Sequence, residues 1–156
     1  MRLTILSLIA TTSVAVLAPV AALADTPGRH PAYLHARSDL RTAQFYLRAG
    51  AEPNVKEHMR EADHEIDQAI HELDQAARFD HKDMDDHPHI DANVDRNGRF
   101  RNVMDLLNSA RHDISREEDN PNAIGWRDVA YRHIDHAIDH VKRAAHDLRI
   151  DHDLGW

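Results

Sequence analysis

The segment HIDHAIDH, residues 133–140, sets three histidines and two aspartates around three apolar residues. On a helix turning about 100° per residue, His133, His136 and His140 fall within roughly 60° of one another. Neutral imidazoles one helical turn apart, as at His136 and His140, can share a metal ion. Imidazole with no thiolate nearby suits zinc, copper(II), nickel or cobalt. Ile134, Ala137 and Ile138 mark the core side of this helix, and His133 and His140 flank that stripe, where a neighbouring helix can add a ligand. His136 stands nearer to solvent, and Asp135 and Asp139 fall on the outer side. The same residues equally suit a solvated helix face, because histidine and aspartate three or four residues apart are ordinary neighbours. His64, Asp67, His71 and Asp74 form such a ladder on what reads as the outermost face of another helix.

A second donor-rich stretch is DHKDMDDHPHIDANVDRNG, residues 80–98, with His81, His87 and His89 among Asp80, Asp83, Asp85, Asp86, Asp91 and Asp95. A connection this long within a small helical domain is either functional or a flexible acidic linker. Its imidazoles and carboxylates offer a mixed donor set, and tracts of this composition also bind metals loosely without fixed geometry. Wrapping it around an ion must order many backbone bonds at about 1–2 kcal/mol each, whereas the helical trio costs mainly side-chain rotamers. The helical trio is therefore the expected tighter site.

Other chemistries fit less well. NVDRNG resembles the start of an EF-hand, but position twelve from Asn93 is Met104, and a start at Asp91 puts Arg96 where the loop requires glycine. Glu61-x-x-His64 matches half of a di-iron motif that helix four does not repeat. Pro27 stands where an amino-terminal copper clip on the processed chain needs histidine. There is no nucleophile elbow, phosphate-cradling loop or HExxH, so the chain reads as non-enzymatic, without inferable nucleotide or haem.

Four elements must position these residues. Tyr33, Ala36, Leu40, Ala43 and Leu47 repeat at intervals of three and four. So do Val55, Met59, Ala62, Ile66, Ala69, Leu73 and Ala76, then Phe100, Val103, Leu107, Ala110 and Ile114, and finally Ala130, Ile134, Ala137, Val141, Ala144 and Leu148. Each is the seam of an amphipathic helix, widened to bundle width by Ile70, Met104, Ile138 and Ala145. Pro31, Gly50, an Asn54–Glu57 capping box, Asn97-Gly98 and Asn120-Pro121 punctuate helices over about 31–49, 54–79, 99–118 and 122–150. EIDQAIHELDQAA (65–77) and HIDHAIDHVKRAA (133–145) share one frame. The first and third helices align at nearly the same offset, Tyr33 on Phe100 and Leu47 on Ile114. The expected fold is an all-α, antiparallel four-helix bundle built from two related αα-hairpins.

Residues 1–24 read as a cleaved signal peptide: basic Arg2, an uncharged run from Leu3 to Val20, and Ala22-Leu23-Ala24 before Asp25. Its removal leaves one domain, 25–156, and takes away Arg2 alone, so 18 basic and 27 acidic residues remain and the net charge is −9. That balance disfavours nucleic acid and anionic membrane surfaces. No cysteine is present, which excludes disulfides, thiolate metal sites and iron–sulfur clusters. The expected location is periplasmic or secreted, with no membrane span after processing.

HPAYLHARSDLR (30–41), EEDNP (117–121) and HIDHAI (133–138) resemble segments of a group of small exported bacterial helical-bundle proteins of no established activity. The resemblance implies the fold and brings no functional residues. Two functional expectations remain open. One is an exported protein that binds or buffers divalent transition metal ions. The other is a structural or interaction module of the cell envelope, its protein partner unknown. Its charge would swing from −9 toward +5 if all fourteen histidines took up protons.

Overall fold

The computed structural model describes residues 32–49, 53–85, 87–90, 98–116 and 122–156. The expected signal peptide lies outside these residues, as do Pro31, Gly50, Asn97, Asn120-Pro121 and three of the loop aspartates, Asp86, Asp91 and Asp95. The described chain is all helical: α1 (Ala32–Arg48), α2 (Lys56–Phe79), α3 (Arg99–Arg116), α4 (Ile124–Asp147) and a single turn, α5 (Asp151–Leu154). None of these helices is long and apolar enough to cross a membrane.

The apolar seams form the core. Every seam residue named above is buried except Ile70 and Leu148, which pack against the core partly covered, and Leu106 and Leu34 are fully buried as well. Burial at these spacings holds the helices more firmly than propensity alone, since amphipathic helices draw most of their stability from tertiary packing. Helix ends differ from the sequence reading in detail. α2 begins at Lys56 behind Val55, which makes no side-chain cap bond. The Asn54–Glu57 capping box is not formed, and Glu57 instead pairs with Arg60 at 2.6 Å. α4 stops at Asp147 rather than near 150.

Both α2 and α4 end in the same left-handed cap. His81 (φ 56°) and Arg149 (φ 59°) occupy the positive-φ position usually held by glycine. Around them Lys82 N–H reaches the Ala77 carbonyl and Ile150 N–H the Ala145 carbonyl, at 2.9 and 3.0 Å. His81 therefore closes a helix.

Named contacts fix the directions. Arg37 meets Asp74, Gln44 meets Asp67 and Arg48 meets Asp63, so α1 and α2 run antiparallel. Phe79 meets Trp126, Glu65 meets His133 and His58 meets Asp147, so α2 and α4 are also antiparallel. Arg111, in the last third of α3, meets Asp135 in the first half of α4, while the start of α3 lies beside Leu148, Ile150 and Leu154. α3 thus runs opposite to α4. The largest interfaces join α2 to α4 and α1 to α3, and the sequential pairs α1–α2 and α3–α4 are smaller.

This order of directions, up-down-down-up, explains the long connection between α2 and α3. α2 ends at one end of the bundle and α3 begins at the other. Its 24 residues make α2 about 36 Å long, and the nineteen residues 80–98 reach about 60 Å when extended, so the connection is long enough to return along the bundle, which a short turn could not do. Its described part climbs α1: the Arg37 guanidinium donates to the Met84 carbonyl at 3.1 Å, and His87 to Ile90 lie beside Ser38, Arg41 and Thr42.

Candidate functional site

The α2–α4 seam brings Glu65 against the histidines of HIDHAIDH. Glu65 follows from the same frame that buries Ile66 and Ala69, which leaves its carboxylate on the edge of α2 facing α4. His133 Nδ1 lies 2.7 Å from Glu65 Oε2 and His136 Nδ1 lies 3.5 Å from the same oxygen. An ionised carboxylate only accepts, so His133 carries its proton on Nδ1 and donates it to Glu65. The two imidazole rings stand perpendicular, their centroids 6.4 Å apart. Glu65 and His133 are 19% and 26% exposed while His136 is 61% exposed, so the cluster has a dry side and one side open to solvent.

The electrostatics favour an anionic Glu65. Burial pushes its pKa up, but the hydrogen bond from His133 and the charges of His133 and His136 outweigh that and hold the carboxyl below the usual range. One ligand atom from each of Glu65, His133 and His136 lies within 4.8 Å of the others, and among the described residues no other set of three histidines or carboxylates is gathered this closely. Ligands about 2.0–2.1 Å from a tetrahedral zinc stand roughly 3.3 Å apart. The 2.7 Å hydrogen bond must open by a few tenths of an ångström and the 3.5 Å contact close slightly.

His140 does not join this cluster. It faces His58 of α2, ring centroids 6.0 Å apart, with its Nδ1 buried and without a hydrogen bond. Burial lowers the His140 pKa, and Arg143 on its own helix and His58 across the seam lower it further against the opposing pull of Glu61 and Glu65. Between the ordinary histidine pKa near 6.5 and the lower folded value, the unfolded chain binds the extra proton, so this group's contribution makes stability fall as pH falls. The His140→Gln variant is expected to lose less stability than the parent between pH 7 and pH 5 in metal-free urea titrations. An unchanged pH slope would contradict this.

Other expectations fare unevenly. His81, His87 and His89 are all exposed, and among the described residues they form no group of three ligands, although His87 and His89 line one groove beside α1. His81 is held in the α2 cap, and Pro88 between the other two is buried. Asp83 accepts a bond from the Asp85 backbone at 3.0 Å, closing a local turn. Asp135 does not simply point outward: Arg111 Nε reaches it at 2.7 Å, with the Arg111 guanidinium over the Tyr131 ring. Asp139 is exposed, as expected. The ladder on α2 also splits. His64 and His71 face solvent, whereas Asp67 receives Gln44 at 2.6 Å and Asp74 pairs with Arg37. Sequence reasoning missed Glu65, although the shared frame aligns it with His133.

No protein-family model matches the chain, and no curated protein or solved structure is significantly similar to it.

Proposed function

We propose that this is an exported, non-enzymatic helical protein that binds a divalent transition metal ion at the α2–α4 seam through Glu65, His133 and His136. The observation that carries the reading is the convergence of both histidine Nδ1 atoms on Glu65 Oε2. Two nitrogens and one carboxylate oxygen on preordered helices match zinc, copper(II), nickel or cobalt, with solvent completing the shell on the His136 side. Binding displaces the proton shared by His133 and Glu65, so affinity falls as pH falls.

The expected affinity is near micromolar, about 8 kcal/mol, because the bond in place must be broken and only three ligands are gathered. Calorimetry on tag-free protein, with free histidine at matched imidazole concentration as control, tests this. Saturable binding tighter than the control supports the reading, and its absence for all four ions overturns it. In the same titrations the His87→Ala/His89→Ala variant keeps the tight phase, since among the described residues the crossover histidines form no group of three ligands.

The envelope module with histidine-tuned charge draws support from a different observation: most described histidines, including His64, His71, His146 and His152, are exposed on the surface. Acid-dependent self-association without metal, followed by light scattering, would favour it.

The descent of both hairpins from one ancestral unit also has support in the contacts. The frame offset of 68 between α2 and α4 carries His58–Asp147 onto Trp126–Phe79, and both pairs touch. With the offset of 67 between α1 and α3 it carries Gln44–Asp67 onto Arg111–Asp135, and both are bonded. The two left-handed caps at His81 and Arg149 obey the same offset. Glu65 and His133 are then equivalent positions, and their mutual contact sets the proposed site near the pseudo-two-fold axis.

A further inference from the structure

Two turns along the seam from Glu65, α2 and α4 bring together a second pair of imidazoles. We propose that His58 and His140 hold a second, weaker divalent transition metal ion, separate from the Glu65 site and made of different residues. His58 Nε2 lies 3.4 Å from Asp147 Oδ2, an ion-pair contact that engages this ring nitrogen with the carboxylate. That leaves the Nδ1 lone pair for a metal, the role carboxylates play behind ligating histidines. The partner ring is His140, centroid 6.0 Å away. Two imidazoles on one tetrahedral ion have centroids about 5 Å apart, so the rings close by about 1 Å through side-chain torsions alone.

The surroundings explain both why the pair binds and why it binds weakly. The Nδ1 of His140 is buried and makes no hydrogen bond, so a ring nitrogen stands without a partner beside His58. An open groove of about 510 Å³ reaches the His58 side of the pair, lined there by Lys142, Arg143, His146, Asp147, Asp151 and Trp156, with room for water ligands. Lys142 and Arg143 oppose a cation there, while Asp147 and Glu61 favour one. With only two protein nitrogens, this site fills after the Glu65 site. The pseudo-symmetric counterparts of His58 and His140 are Trp126 and Glu72, so the opposite end of the seam offers no equivalent pair.

Zinc titration of the tag-free protein, followed by calorimetry and by the ring 15N signals of His58 and His140, tests this. The expected result is two phases, with these two rings shifting in the second. His58→Gln and, separately, His140→Gln remove the second phase, weakening it at least tenfold, and leave the first unchanged. Glu65→Gln weakens the first about a hundredfold and leaves the second unchanged, so the two sites fail independently. A single phase in the parent protein, unshifted His58 and His140 signals, or a second phase that survives both glutamine variants would overturn the proposal and assign any weak binding to scattered surface histidines.

Discussion

Replacing Glu65 with glutamine is expected to weaken the tight phase of zinc binding about a hundredfold, about 2.7 kcal/mol, while leaving the fold intact. Glutamine keeps the volume and can still accept a hydrogen bond from His133, so packing along the α2–α4 seam survives. It removes the one anionic ligand, and an uncharged carbonyl oxygen is a poorer donor for a borderline dication than a carboxylate. The effect on metal-free stability runs by linkage. The folded Glu65 pKa lies below the unfolded value, so its contribution is present above the ordinary carboxylate range and is lost as pH falls through the folded pKa. At neutral pH the variant therefore loses a little stability, and in strong acid it matches the parent. Equal zinc affinity in the two proteins would show that His133 and His136 bind without the carboxylate, or that no ion binds there at all. Titrating His133→Ala beside it separates those outcomes.

The sequence made the helices legible because burial repeats at 3.6-residue spacing. Ile66, Leu73, Leu107 and Ile134 all lie where their seams put them, fully buried. Pairing was less legible. A helical wheel gives each side chain a direction about its own axis, but a bundle helix has two neighbours. Asp135 and Asp74 read as outward and in fact face Arg111 and Arg37 across the grooves beside the core. The crossover was harder still, because nothing local in residues 80–98 says that α3 must start at the far end from α2. Glu65 was recoverable in principle. Once the frame aligns Glu65 with His133, an antiparallel meeting of the two repeats brings equivalent residues together near their axis. Only the pairing of α2 with α4, rather than of each hairpin with itself, was missing.

The largest stability loss is expected at the other end of that geometry, in Arg37→Met. The Arg37 guanidinium ties three segments together: its Nε is 2.6 Å from Asp74 Oδ1 on α2, and its Nη1 donates to the Met84 carbonyl on the crossover at 3.1 Å. The contact with Asp74 is an ion pair by distance rather than an aligned hydrogen bond, so most of its strength is charge attraction in a dry setting. The two side chains are only 8% and 17% exposed. Methionine keeps the apolar stem and removes the charge, which leaves Asp74 half-buried with Arg78, 4.0 Å away, as its remaining cation. Breaking a buried pair by removing one partner costs about 3–5 kcal/mol, and Arg78 reduces that to about 2–3 kcal/mol here. Replacing both partners removes the stranded charge, so Arg37→Met/Asp74→Leu should recover most of the loss. The measurement is the urea midpoint at unchanged m-value for the parent, the single and the double variant. Because the Arg37–Met84 bond is lost in both variants, limited proteolysis should cut the crossover faster in each. The tight zinc phase should persist in both, since Asp74 lies nine residues, about 14 Å, along α2 from Glu65. A single variant that loses less than about 0.5 kcal/mol, the range of ordinary surface changes, would mean that the pair is solvated and that the crossover is held by Pro88 and its apolar neighbours alone.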